Sequence, residues 1–310
     1  MKESLRSRLR VIERVLRPGA TAQLRAVDVI AERLDPVAAA LNAQAEAIEA
    51  LRVEVAALRS QLVDGSSPAA VEPGGASGVE PPPAEVDERN DHYNAWTIEI
   101  IDRVLADGGN AIDVGAHAAA ILAPIVAASP EGHHMAFEPL PHLADALRSS
   151  FPQVEVHQVA LSDHTGTVDF HHVVASPEFS GIEKRTLPDE DVAIERIAVE
   201  LARLDDLVAP ERPIAFVKID VEGAELGVLR GGSEMFRRDR PVTVFEFGLG
   251  AADVYGTTPS DIHGFFAERE MDVWLLDDWL AGRDPLGADG LQAQFAVCAN
   301  YYFVAAPAPG

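Results

Sequence analysis

Two kinds of hydrophobic spacing divide the chain. From Val37, apolar residues recur at alternating four- and three-residue steps through Leu41, Ile48, Leu51, Val55, Leu58 and Leu62, with Gln44 the polar exception. This spacing predicts a coiled-coil seam. Placing Leu41, Ile48, Val55 and Leu62 at a leaves Val37, Gln44, Leu51 and Leu58 at d, and sets Glu54 at g against Arg59 at e of a second chain. Two β-branched a positions with Leu at d favour a parallel dimer, so a homodimer is expected. The alternative is an intrachain hairpin in which residues 21–34 fold back on 37–62. Upstream, Leu5, Leu9, Ile12 and Leu16 lie at helical spacing among Lys2, Arg6, Arg8, Arg10, Arg14 and Arg17. That is a short basic amphipathic helix, suited to packing on its neighbour or to peripheral contact with an anionic membrane.

Residues 64–88 are rich in Gly, Ser, Pro, Ala and Glu and include Glu80-Pro81-Pro82-Pro83, a composition that reads as a linker. Past Asp87 the pattern changes. Trp96, Ile100, Ile101 and Val104 mark a helix over Asn94–Leu105. Short apolar runs then alternate with helical patterns. Strands are expected at 111–114, 135–137, 154–161, 167–174, 194–199, 215–219, 242–247, 273–276 and 301–305. Helices are expected at 117–128, 142–149 and from about 223 to 229, a loop at 175–192, and a connector at 201–207. Strands alternating with helices predict an α/β domain over residues 89–310, with a mostly parallel sheet and right-handed crossovers. The last two strands, with no clear helix between them, are expected to form an antiparallel hairpin.

Chemistry concentrates at strand ends. Ala111-Ile112-Asp113-Val114-Gly115-Ala116 is a buried strand running into a Gly turn, and Met135-Ala136-Phe137-Glu138 is a second strand ending in an acid. Strand, Gly turn, helix, strand and acid form a nucleotide-type βαβ unit, in which the acid is placed to bind ribose hydroxyls. A single Gly is a poor cradle for a pyrophosphate, which disfavours a nicotinamide or flavin dinucleotide. A ribose ligand without phosphate needs fewer close backbone contacts. The sharpest motif is Lys218-Ile219-Asp220-Val221-Glu222-Gly223-Ala224-Glu225, with four ionisable groups at the carboxyl end of a strand. Alternation sets Lys218 and Asp220 on one face.

Charge and cysteine content narrow the classes. The net charge is −25, but residues 1–63 carry ten basic against eight acidic residues, leaving −27 for the remainder. So acidic a domain repels phosphate backbones, and nucleic acid is not expected as a substrate. Cys298 is the one cysteine, so no intrachain disulfide can form and a reducing cytoplasm is expected. No run of eighteen apolar residues exists, and the basic N-terminus lacks the apolar core of a signal peptide.

Ile112-Asp113-Val114-Gly115-Ala116, Ala136-Phe137-Glu138-Pro139-Leu140-Pro141, Ala160-Leu161-Ser162-Asp163 with Gly166, Val217-Lys218-Ile219-Asp220-Val221-Glu222-Gly223-Ala224-Glu225 and Pro241-Val242-Thr243-Val244-Phe245-Glu246 occur in one order. In this the chain resembles the FkbM-type S-adenosylmethionine-dependent methyltransferases. The resemblance covers about Ala111–Phe247 and, more loosely, the rest to Val304. It implies a class I, Rossmann-like fold and methylation of hydroxyl groups on saccharides, glycolipids or secondary metabolites. It places Asp113 and Gly115 on the methionine side of the cofactor, Glu138 on the ribose, Leu161 and Ser162 beside the adenine, and Asp220 at the transfer site. The family has Asn at the position of His117 and Gly at that of Ala119.

A hydroxyl acceptor needs a proton acceptor, for which Asp220, His117, His171 and His172 are the candidates, with Asp220 first and Lys218 orienting it. Asp220, Glu222 and Glu246 could gather around a cation, but no metal is expected. The competing function is a catalytically degenerate, methyltransferase-like interaction protein organised by its coiled coil.

Overall fold

The computed structural model describes residues 83–173, 180–182 and 194–307, with backbone alone at 83–88 and 172. The expected coiled coil, basic helix and most of the linker lie outside the described residues, as does most of the 175–192 loop. The first described element is helix α1 (Pro83–Val104), which starts inside the stretch expected to be a linker. Pro at the first turn loses no hydrogen bond there, because that N–H has no helical partner.

Seven strands form the main sheet, in the order β3 (Glu155–His157), β2 (Met135–Phe137), β1 (Asn110–Val114), β7 (Ile214–Ile219), β8 (Val242–Glu246), β10 (Tyr302–Pro307) and β9 (Met271–Leu275). The first five are parallel, and β10 runs antiparallel to both β8 and β9. The mostly parallel α/β class expected from the alternation is therefore observed. Its helices are α2 (Leu122–Ala128), α3 (Pro141–Ser150), α4 (Leu204–Leu207), α5 (Glu225–Gly231), α6 (Ser233–Asp239), α7 (Pro259–Ala267), α8 (Leu276–Leu280) and α9 (Ala288–Ala296). Among the described residues no helix is long and apolar enough to cross a membrane.

Strand alternation sorts the core onto two faces. Ala111, Phe216, Val244 and Val304 pack with Ile100 and Ile101 of α1, with Leu105 just after it, and with Leu276 of α8. Ile112, Val217, Phe245 and Phe303 pack on the other face against Val228 of α5, Phe236 of α6, Phe266 of α7 and Leu291 of α9. Both faces are covered, as a parallel sheet requires.

Three expectations are corrected. The helix expected from His117 begins only at Leu122, because residues 116–121 turn along the rim of the sheet, and His117 and Ala119 adopt φ of +43° and +66°. The strand expected over 154–161 breaks at Gln158-Val159. Its second half, β4 (Ala160–Leu161), joins β6 (Ile194–Ala202) and β5 (Gly166–Val173) in a separate three-stranded sheet. The last two strands do pair antiparallel, but α8 and α9 lie between them. Both helices are short, and Gly282 and Pro285 interrupt the pattern between them.

Candidate active site

The chain steps from β1 to β2 and β3 on one side of the sheet, then returns to β7 and β8 on the other. Strand order reverses between β1 and β7, and at such a switch point the loops diverge and leave a crevice at the carboxyl edge. Register decides which side chains meet there. Asp113 pairs with Lys218, and Lys218 with Val244. One step further along, Tyr302 of the antiparallel β10 pairs with Glu246. Two-residue periodicity then puts Asp113, Lys218, Asp220, Glu246 and Tyr302 on the α1 face, at one edge.

Lys218 is buried and touches three groups. Its Nζ donates to the Gly115 carbonyl at 3.0 Å and lies 3.3 Å from Asp220 Oδ2 and 3.7 Å from Asp113 Oδ1. Burial pulls its pKa down, but the Asp220 and Asp113 carboxylates outweigh this and hold the ammonium charged. Asp220 is pushed up by burial yet ends below its usual value, because Lys218, the Tyr302 hydroxyl and a hydrogen bond with Glu246 favour the carboxylate. Tyr302 donates to Asp220 Oδ2 at 2.7 Å. Burial and the neighbouring carboxylates raise the Tyr302 pKa well above its ordinary value, so it remains a donor. For Asp113 burial wins over Lys218, and its carboxyl is raised.

Gly115 is fixed by chain packing as much as by any ligand. It has φ +75°, and a Cβ there would stand 1.9 Å from the Asp220 carbonyl oxygen. The β1 and β7 turns therefore cross in backbone contact. Gly223, at φ +105°, meets the loop after β8 in the same way, 2.5 Å from the Ala251 carbonyl.

These turns wall a cavity of about 210 Å³. Its polar wall includes Asp113, His117, Glu138, Lys218, Asp220 and Glu222; its apolar wall includes Ile121, Leu161, Phe170 and Ile182. Glu138 is buried, accepting the His117 N–H on one oxygen and the Leu140 N–H on the other, each at 2.9 Å. Burial raises its pKa, and those two N–H groups moderate the rise. Ser162 is not among the lining residues, and its Oγ lies 3.3 Å from His164 Nδ1. His171, on β5, does not line the cavity, and of His172 only the backbone is described. Asp220, Glu222 and Glu246 each bring an oxygen within 4.8 Å of the other two. Sequence reasoning missed Tyr302, whose only signal was its parity on a strand of unknown partner.

The cavity fits the cofactor that the resemblance implies. Asp113, 1% exposed, has no donor at full hydrogen-bond geometry, although the Leu122 N–H and Lys218 lie near enough to favour its carboxylate, and His117 Nε2 is buried without a partner. Each Glu138 oxygen retains a lone pair after accepting its N–H, enough for two vicinal hydroxyls. Asp113 and Glu138 would hold the ammonium and ribose parts, and Leu161 would face the base.

His117 and Ala119 adopt φ of +43° and +66° without being Asn or Gly, the residue types that best tolerate φ > 0. Ala119→Gly should raise the unfolding free energy by about 0.5–1 kcal/mol in urea denaturation. A loss of stability would mean that the Ala119 methyl, packed against the Leu122 and Leu147 cluster, outweighs the backbone relief.

The family model described as "Methyltransferase FkbM domain" matches residues 113–273, just over half of the chain. No curated protein matches. Among solved structures, an FkbM methyltransferase from Methylobacillus flagellatus is 17% identical, with a TM-score of 0.33, over 45% of this chain and only 33% of that one. A sugar N-methyltransferase from a Streptoalloteichus species is 14% identical, with a TM-score of 0.37, over 79% and 99% of the two chains. Magnesium protoporphyrin IX methyltransferase from Synechocystis, solved with S-adenosylmethionine bound, is 12% identical, with a TM-score of 0.38, over 76% and 87%. The family match begins on Asp113 and spans both turns of the switch point: the chain belongs to the FkbM family of S-adenosylmethionine-dependent methyltransferases.

Proposed function

We propose that the chain transfers a methyl group from S-adenosylmethionine to a hydroxyl oxygen of a saccharide, glycolipid or secondary metabolite, with Asp220 as the proton acceptor. The observation that carries this reading is the setting of Asp220. Lys218 and Tyr302 both grip Oδ2, while about a quarter of the side chain stays exposed at the cavity. These contacts hold Asp220 as a carboxylate at the cavity wall, where it can receive a proton. When bound, the cofactor supplies an activated methyl group on a sulfonium. The protein's main contribution is to align donor and acceptor, which can lower the barrier greatly.

A depressed pKa makes Asp220 a weak base. A weak base suffices here, because an alcohol oxygen that is gaining a methyl group becomes strongly acidic. Lys218 and Tyr302 position the carboxylate, and His117 is the second candidate for the proton. The acceptor class rests on the family resemblance alone.

The test is transfer of a labelled methyl group from S-adenosylmethionine to a panel of glycans and hydroxylated metabolites. Transfer is expected to at least one acceptor, falling by about 100-fold or more in Asp220→Asn. Binding of the cofactor with no transfer to any acceptor would favour the non-catalytic interaction reading. Full activity in Asp220→Asn would move the base to His117.

A further inference from the structure

Tyr302 donates its hydroxyl to Asp220 from the very start of β10, where the sheet holds it on one side only. It pairs with Glu246 of β8, whereas the pairing of β10 with β9 begins one residue later, at Phe303. The second hold on Tyr302 comes from α1. Tyr93 of that helix is 3% exposed, and its ring centroid lies 5.1 Å from that of Tyr302 and 4.9 Å from that of Tyr301. The Tyr93 hydroxyl donates to Asn300 Oδ1 at 2.9 Å, and Asn300 Nδ2 donates to Gln294 of α9, also at 2.9 Å. One turn earlier on α1, Asn90 Oδ1 accepts the Tyr301 hydroxyl at 2.7 Å, and Arg89 donates to the Cys298 carbonyl at 3.3 Å. Side chains of α1 thus grip the whole approach to β10. Asn94 and Thr97 of α1 line the cavity and Tyr93 does not, so Tyr93 reaches the site only through Tyr302.

We propose that Tyr93 is a positioning residue for methyl transfer: its buried ring sets the orientation of Tyr302 and, through the Tyr302 hydroxyl, that of the Asp220 carboxylate. The inference rests on the methyl-transfer reading above, in which Asp220 receives the acceptor's proton. Tyr93 needs no contact with donor or acceptor for this.

Packed aromatic rings constrain one another's tilt and rotamer. Without the Tyr93 ring, a tyrosine at a strand end can turn about its side-chain bonds and draw its hydroxyl off Asp220. The carboxylate then keeps Lys218, 3.3 Å away, and so keeps its charge. It is held by one partner instead of two, however, and a base that wanders is a slower one. Burial raises the Tyr93 pKa, so its own hydroxyl stays a donor to Asn300.

Single-turnover transfer of a labelled methyl group tests this on the full chain, with an acceptor from the panel on which the wild type is active. Isothermal titration with S-adenosylmethionine reports the cofactor site in parallel. Tyr302→Phe is expected to slow transfer about ten-fold, the scale of one hydrogen bond to a charged group. Tyr93→Leu should slow it about five-fold, with the affinities for cofactor and acceptor within about two-fold of wild type. Tyr93→Phe keeps the ring and should lose no more than about two-fold. The double variant Tyr93→Leu, Tyr302→Phe should be no more than about two-fold slower than Tyr302→Phe, because no hydroxyl is left to aim. Transfer at the wild-type rate in Tyr93→Leu, or losses that multiply to about 50-fold in the double variant, overturns the inference and leaves the methyl-transfer reading intact. Full activity in Asp220→Asn removes the base and the inference with it. Absence of transfer by the wild type overturns both readings. If Tyr93→Leu melts early, Tyr93→Met, whose unbranched chain adapts to the gap, gives the same comparison.

Discussion

Lys218→Met is expected to destabilise the domain by about 3–5 kcal/mol near neutral pH, the cost of removing one partner from a buried ion pair. Methionine fills the space of the lysine stem, so the loss reports the charge and its hydrogen bonds. Three contacts go together. The Gly115 carbonyl loses its donor, Asp220 loses its cation, and Asp113 is left with no counter-charge. These partners belong to the β1 turn and the β7 end, so Lys218 ties together the two strands between which the sheet reverses. Asp113 can escape part of the penalty by taking up a proton, since burial already raises its pKa. The destabilisation should therefore shrink toward pH 5. Asp113→Asn in the Met background should recover part of it, because an amide needs no counter-charge. Urea denaturation of the two single variants and the double variant measures this coupling. A loss under about 1 kcal/mol for Lys218→Met would show that solvent compensates Asp113 and that the tie is unimportant.

Much of this cluster was legible in the sequence, for reasons that also mark where reading stops. Asp113, Lys218 and Asp220 end apolar runs, and two-residue alternation fixes the face that Lys218 and Asp220 share. Glu138 follows from the βαβ spacing. These are local facts. The partner of Asp220 is not local. Tyr302 reaches it only because β10 inserts antiparallel between β8 and β9, with Tyr302 opposite Glu246. No pattern within residues 301–307 encodes that register. The helix over-read at His117 failed for a related reason. His117 and Ala119 take left-handed φ without being glycines, so the turn carries no local signal. The His117 N–H is committed to Glu138, twenty-one residues away, a contact that no local pattern announces. Gly115 was read correctly as a tight turn, but the pressing constraint on it, the Asp220 carbonyl, comes from another strand.

Glu225→Gln should stabilise the protein increasingly as pH rises, by on the order of 3 kcal/mol at pH 8 relative to pH 4.5. Glu225 opens α5 at 1% exposure, and its Oε1 accepts the N–H groups of Val221 and Gly223, each at 3.1 Å. It thereby fixes the turn that carries Asp220 and Glu222. Burial outweighs those donors, and Asp220 adds like-charge repulsion, so its pKa rises from 4.5 to about 7. The sign follows from proton counting. Below pH 4.5 the folded and unfolded chains both hold the proton, and stability is full. Between 4.5 and about 7 the unfolded chain has lost it and the folded chain has not, so stability falls with rising pH, then levels off. Glutamine can keep the carbonyl that accepts both N–H groups and has nothing to titrate. Any fixed cost of the new amide shifts its stability without tilting the pH dependence. Other groups titrate in this window. Asp113 and Glu138 slope the same way, whereas His134, lowered chiefly by burial, gains stability as pH rises through 6.5. Their effects cancel in the difference between wild type and variant. The measurement is that difference, from urea unfolding at half-unit steps between about pH 4.5 and pH 8. A flat difference would mean that Glu225 is ionised in the folded protein throughout, its charge carried by the two backbone donors of the turn.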